Sequence, residues 1–450
     1  MTLLPRWADL QPDLLCRIGD RLDLKGYASA RGACTAWRCA LAPTSPALLL
    51  LVAGEDQWRP YAAPLPSRRS FELTAFISDS RCIGSSNGWL ALSVKQLWRR
   101  TVFVLLNPVA AVEIVLPPLL ICHYESKRIS KVVFTPNPTK EDFAVAAICD
   151  VNRIAYVTAG ARRWAVMDPI GLTGDDQLTD IVYTDNGKVY CLTKRGDVHL
   201  VCLPQCRRCR KPANADDAGP SEPEFSVLRH PTVIFLGNSE RQDGFELNAD
   251  MNALATVEPL LSEANLPFNP ATVFAPPYDT VSVFTSAKNL VFSEGSLYQV
   301  WRNSSCTVTL QLRGGGRCRI SDNEIFVLRY CPQRQPCWDV VKDLGGYSFF
   351  VGRNNAVSMY AEGVPGLRAN CVYWIGGHGR DQGMIFDMAT GRSTSCRAPQ
   401  IGQAPGHLHR QYSTVCWYFL SDLVSNNSSS GGRRVREVSI SDAKSSGDQE

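Results

Sequence analysis

Four side chains in one short stretch, His199, Cys202, Cys206 and Cys209, form H-x2-C-x3-C-x2-C and are of the types that hold zinc. Tetrahedral sites ordinarily join two separated ligand pairs, and residues three apart on one strand point to opposite faces. The same spacing therefore also reads as free cysteines in a loop, where Arg207, Arg208, Arg210 and Lys211 favour redox sensitivity over metal binding. No metal is expected, with this cluster the one candidate.

Other patterns match catalytic motifs in letters and lack their context. Gly84-Ser85-Ser86-Asn87-Gly88 has the spacing of a serine-hydrolase nucleophile elbow, which sits between a strand and a helix. Here Trp89-Leu90-Ala91-Leu92 reads as a second strand, so a glycine-rich turn is expected. Arg313-Gly314-Gly315-Gly316-Arg317 lacks the lysine and hydroxyl of a phosphate loop. His378-Gly379-Arg380-Asp381 lacks the motifs that accompany a kinase catalytic loop, and Asp175, Asp176 and Asp180 lack calcium-loop spacing. The expectation is a protein without catalytic residues or cofactor.

These candidates lie on a chain that reads, for most of its length, as short strands. Trp89–Val94, Val102–Leu106 and Val112–Leu116 are rich in β-branched and aromatic residues and parted by turns such as Asn107-Pro108. Strands follow at Lys131–Thr135, Phe143–Ile148, Ile154–Thr158 and Arg163–Met167. A meander follows, Asp180–Thr184, Lys188–Thr193 and Val198–Leu203, its first turn being Asp185-Asn186-Gly187. Residues 204–224 crowd charge, proline and glycine and read as a mobile insertion. Strands resume at Val233–Leu236 and Val281–Phe284, with Ala253–Ala264 a short helical interruption, and continue to Asp387.

Trp301, Trp338 and Trp374 recur about every 37 residues, near the pitch of a four-stranded propeller blade of about 40 residues. So many strand edges are hidden most simply by radial repetition, which gives a β-propeller of six or seven blades; two separate sandwiches are the rival architecture.

The chain has 450 residues, 45% hydrophobic and 20% charged, with a net charge of +4. That charge gives nucleic-acid binding no support. The N-terminus lacks a signal-peptide layout, and the apolar run Thr101–Cys122 is broken by Asn107, Pro108, Glu113 and Pro117-Pro118, so no membrane span is expected. The 17 cysteines are scattered without a framework and read as reduced thiols of the cytoplasm or nucleus.

Residues 7–41 differ from the rest. Leu10, Leu14, Leu15, Ile18 and Leu22 share one helical face, with Pro12 and Asp13 in the first turn where both are favoured. Ala30, Cys34, Trp37 and Leu41 mark a second helical pattern. So short a module has little to bury these faces against, and a docking partner is expected to cover part of them.

The order W-x-x-L-x-P-[DE]-L-L-x-x-I followed by A-x-x-x-W-R, here Trp7, Leu10, Pro12, Asp13, Leu14, Leu15, Ile18, Ala33, Trp37 and Arg38, resembles an F-box. Gln11 stands where that family usually has proline. The resemblance implies docking on the Skp-type adaptor of a cullin-based ubiquitin ligase through Leu10, Pro12, Leu14, Leu15, Ile18, Leu22 and Trp37. Further on, Gly84–Leu90, Leu106-Asn107-Pro108, Leu344–Gly352, Pro365-Gly366, Asn370–Trp374 and Phe386-Asp387 resemble, in this order, plant F-box proteins with a KIB-type, kelch-like β-propeller. That resemblance implies a substrate receptor for protein ubiquitination, with the substrate itself unspecified.

The expected layout is thus a small all-α F-box at 1–45 and a connector at 46–70. A large all-β propeller follows at 71–420, and a disordered tail closes the chain at 421–450.

Overall fold

The computed structural model describes residues 10–41, 47–53, 60–65, 70–73, 80–95, 101–119, 129–172, 176–184, 187–203, 256–259, 274–285, 287–312, 315–376, 382–396 and 412–420. Six sheets repeat around an axis, and the protein is a six-bladed β-propeller preceded by three short helices.

Blade 1 joins the two ends of the chain. Its order is β27 (Tyr412–Phe419), β1 (Ala47–Ala53), β2 (Pro60–Pro64), β3 (Phe71–Glu72), and the register sets Leu48 opposite Tyr418 and Leu49 opposite Trp417. The last strand therefore closes the ring. Blade 2 is the meander β4 (Ser80–Ser86), β5 (Trp89–Lys95), β6 (Thr101–Asn107), β7 (Val112–Val115). Blade 3 is β8 (Val132–Phe134), β9 (Ala144–Asp150), β10 (Arg153–Thr158), β11 (Ala165–Val166), and blade 4 is β12 (Leu178–Thr184), β13 (Lys188–Thr193), β14 (Val198–Cys202), β15 (Thr256–Pro259).

Blade 5 uses β16 (Ala287–Ser293), β17 (Ser296–Arg302), β20 (Ile325–Tyr330) and β21 (Trp338–Val341), with the hairpin β18 (Val308–Gln311) and β19 (Arg317–Ile320) inserted after β17. Blade 6 departs from the meander. Its order is β23 (Val357–Tyr360), β22 (Tyr347–Phe350), β24 (Cys371–Gly376), β25 (Gln382–Asp387), β26 (Arg392–Ser395), and β22 runs parallel to β24.

The core is not one mass but six apolar layers, one between each pair of neighbouring blades. Strand β9 shows how sequence makes this possible. Val145, Ala147 and Cys149 enter the layer shared with blade 2, while Ala144, Ala146 and Ile148 enter the layer shared with blade 4. A strand buried on both faces reads as a continuous apolar run, here AVAAIC, rather than as an alternation. Its alanines leave room for the neighbouring blades to converge toward the axis.

Several expectations are corrected. Residues 47–53 and 60–64, expected as connector, are strands of blade 1, because their apolar run is needed to close the ring. Val281–Phe284 belongs to helix α4 (Tyr278–Phe284), which Pro277 and Asp279 start despite its β-branched residues. Thr256–Pro259 is a strand rather than helix. Trp301 and Trp338 lie in the same blade, so their spacing is not the blade pitch; both fill the layer between blades 4 and 5. The expected insertion at 204–224, the strand at 233–236 and the tail at 421–450 lie outside the described residues. Among the described residues no helix is long and apolar enough to cross a membrane.

Candidate functional site

The helical module is built from α1 (Pro12–Gly19), α2 (Leu24–Ala33) and α3 (Thr35–Ala40). Pro12 opens α1, with Asp13 in the first turn and Arg17 in the last, both matching the helix dipole. Asp23 caps α2, its Oδ1 accepting from Gly26 N–H at 2.6 Å. The second helical pattern is split: Cys34 is fully extended between α2 and α3, so Ala30 and Trp37 sit on different helices. Gly19 lets α1 close on its neighbours, since a β-carbon there would collide with Leu41 and touch Tyr27.

The seven residues named for docking do not share one environment. Leu15 is buried, 1% exposed, whereas Leu14 beside it is 43% exposed. Pro12 is exposed, and Leu10, Ile18, Leu22 and Trp37 are half-buried. Nor is the module separate from the propeller. Leu24, Tyr27 and Leu41 are buried in the layer between blades 1 and 2, where Leu22 and Trp37 also pack, and the rings of Tyr27 and Phe71 lie 5.7 Å apart. Helical periodicity marked which residues are apolar; it could not show that the propeller rather than a partner covers α2.

The module joins the ring at one end of the strands. Ala47 opens β1 opposite Phe419, and the Tyr418 hydroxyl donates to Gly88 O at 2.9 Å, so the turn Asn87-Gly88 is at the same end. Helix α4 and the β18–β19 hairpin lie at the other end, before β16 and after β17.

Between the two ends the axis is filled by the link from β22 to β23. Asn355 donates its backbone N–H to Ser85 O at 2.8 Å, and its side-chain amide pairs with both Tyr183 N–H and Tyr183 O. Ser85 is in blade 2, Tyr183 in blade 4 and Asn355 in blade 6. Only a residue on the axis can reach three alternate blades of six. Gly352 permits the turn with a φ of 154°, and Asn354, fully buried, bonds back to Phe350 O at 3.3 Å.

Two buried charges tie blades together. Lys131 and Asp180 form an ion pair inside the protein, and Asp180 also accepts from Leu290 N–H at 2.8 Å, so blades 3, 4 and 5 meet at one carboxylate. Burial pushes the Asp180 carboxyl up and Lys131 opposes that shift. Asp180, the expected start of a strand, is a buried residue inside β12, and the lysine 49 positions away that balances it carries no local signal. Lys288 donates to the carbonyls of Lys194, Ser282 and Thr285 at 2.6, 2.6 and 2.7 Å and lies 5.1 Å from the Trp301 ring centre. It caps α4 and fastens it to blade 4. Desolvation lowers its pKa to about 7, while three acceptors match the three N–H groups of the protonated form.

The expected chemistry sorts as follows. His199 and Cys202 are both on β14, three residues apart, and Cys206 and Cys209 lie outside the described residues. Among the described residues no three metal-ligating side chains come together. Burial lowers the His199 pKa, with Asp197 and Asp176 acting against it. Gly84–Gly88 is the end of β4 and a tight turn into β5, with Asn87 and Gly88 at φ of 44° and 84°, as a two-residue hairpin requires. Gly84 serves packing, since a β-carbon there would strike the carbonyl oxygen of Val132 in blade 3. Residues 313–314 and 378–381, and Asp175, lie outside the described residues.

A closed six-bladed ring with an axial plug and helices built into its seam defines a β-propeller scaffold. The chain belongs to the KIB1-4 beta-propeller family, whose model matches residues 60–396. Strands β1 and β27, which close the ring, lie beyond that match. No curated protein matches the chain by sequence.

Among solved structures, the chain is similar to a candidate 6-phosphogluconolactonase from Bacteroides fragilis, at 12% identity and TM-score 0.35 over 84% of this chain and 99% of that one. A second candidate 6-phosphogluconolactonase, from Bacteroides uniformis, shows 8% identity and TM-score 0.34 over 83% and 100%. YCF48 bound to a D1 peptide shows 8% identity and TM-score 0.31 over 80% and 84%. None of these likenesses bears on activity or partner.

Proposed function

We propose that this chain is the substrate receptor of a Skp-cullin-F-box ubiquitin ligase: the helical module docks the Skp-type adaptor, and the propeller holds a protein substrate. The observation that carries the reading is the pair Leu14 and Leu15. Leu15 is buried, whereas Leu14 leaves an apolar side chain in solvent beside exposed Pro12 and Asp13. A surface leucine at the start of a helix whose neighbouring leucine is already buried fits a partner's apolar groove. The propeller then acts by proximity, raising the effective concentration of substrate lysines near the ligase's catalytic subunits without bond chemistry of its own.

A second reading, a propeller binding protein without ligase activity, is favoured by the burial of Leu24, Tyr27 and Leu41 against blades 1 and 2, which gives the helices a structural task. Co-expression with a Skp-type adaptor and a cullin separates the two. A ligase receptor co-purifies with both, and Leu14→Asp abolishes that association while the circular dichroism spectrum and melting temperature stay at wild-type values. Folded wild-type protein that associates with neither would overturn the ligase reading.

A further inference from the structure

We propose that Cys82 and Cys416 are a redox modification site: peroxide converts them to a disulfide that bolts the closing strand of the ring to blade 2. The two sulfurs lie 3.7 Å apart, although the residues are 334 positions apart in the chain. Cys82 is on β4 and Cys416 on β27, the facing strands of blades 2 and 1, and both side chains are buried in the layer between those blades. A disulfide needs sulfurs about 2.05 Å apart. The remaining gap is of the size that side-chain rotation together with a small approach of the strands can close.

The surroundings assign unequal roles. The thiol of Cys416 and the charge of Arg353, carried on the axial plug, both favour the thiolate of Cys82, whereas Cys416 is held in its thiol form. Within this pair, Cys82 therefore reacts first. Its thiolate attacks one oxygen of hydrogen peroxide, the O–O bond breaks, and hydroxide leaves, giving the sulfenic acid. The Cys416 sulfur then attacks the Cys82 sulfur, the S–O bond breaks, and a proton from the Cys416 thiol leaves with the oxygen as water. In sum two thiols and one peroxide give one disulfide and two waters. A dithiol reductant reverses the step by exchange.

The location gives the bond a consequence. The two chain ends meet at β27, which is held by its ladder to β1, by side-chain packing, and by the bonds that the Ser85 hydroxyl donates to Trp417 O and the Tyr418 hydroxyl donates to Gly88 O. A covalent link from β27 to β4 spans the seam. It also closes a loop of most of the chain, so the unfolded state loses much of its freedom. Burial makes the reaction wait for seam opening, so exposed Cys16, Cys39 and Cys306 react with peroxide first.

The full-length wild-type protein is treated with hydrogen peroxide until Cys16, Cys39 and Cys306 are modified, then alkylated and digested without reductant for mass spectrometry. A peptide pair linked through Cys82 and Cys416 is expected, together with a melting temperature raised by about 5–10 °C and restored by dithiothreitol. The Cys416→Ser chain should show neither. The peptide map is read on the unaltered chain, so it does not depend on the variant folding. Absence of the linked pair after the exposed thiols are consumed, or its presence with no change in melting temperature, would overturn the proposal.

Discussion

Asn355 and Tyr183 lie 172 positions apart and share two hydrogen bonds, at 3.2 and 3.3 Å, in the middle of the ring. With the further bond from Asn355 N–H to Ser85 O, one asparagine couples three blades that do not otherwise adjoin. Asparagine suits the position because its amide offers both a donor and an acceptor, matching the two peptide groups of a strand.

Replacing Asn355 by alanine removes both side-chain bonds and keeps the backbone one. The expected cost is about 1–3 kcal/mol, read as a lower urea midpoint with unchanged secondary structure. Asn355→Asp should cost at least as much, because the carboxylate cannot donate to Tyr183 O.

Gly84→Ala and Ser86→Ala distinguish a packing motif from a nucleophile elbow. The added methyl at Gly84 meets a carbonyl of the next blade, with an expected loss of about 1–3 kcal/mol in chemical denaturation. Ser86→Ala should change stability by less than about 1 kcal/mol. Loss of an ester-hydrolysing activity on Ser86→Ala would contradict the hairpin reading.

Lys131→Met strands the Asp180 carboxylate in the interior and should cost about 3–5 kcal/mol. Lys131→Met combined with Asp180→Asn should recover much of that loss, because asparagine is uncharged and still accepts from Leu290 N–H. Urea denaturation of the two variants makes the comparison. Equal stability of the single and double variants would refute the assignment of the cost to an unpaired charge.

The half-buried His199 makes stability fall in mild acid. Its folded pKa is depressed below the ordinary 6.5 by burial, so between those two values the unfolded chain binds the extra proton. Its contribution is complete above about pH 6.5 and is lost as pH drops through the folded value. Melting curves from pH 7.5 to 5 should therefore show a decline that His199→Gln reduces.

Most of the β architecture was legible in the chain. Runs such as Ala144–Asp150 state both a strand and its burial on two faces, and the turn residues Asn87 and Gly88 state a hairpin through their need for positive φ. The family was legible too, through motifs ordered along the chain. Helix α4 was not, because Val281 and Val283 favour strand locally while a capping lysine in the following strand, Lys288, holds the helix.

What the sequence determined by itself is therefore local: most of the strands, many of their turns, and the helical character of residues 10–41. Tertiary structure alone decided that Ala47–Ala53 pairs with Tyr412–Phe419, that Asp180 meets Lys131, that Asn355 sits on the axis, and that Leu14 faces solvent while Leu15 does not. The reason is physical. Strand and turn preferences act over a few residues, whereas a hydrogen bond or ion pair between distant segments exists only after the ring has closed and set them side by side.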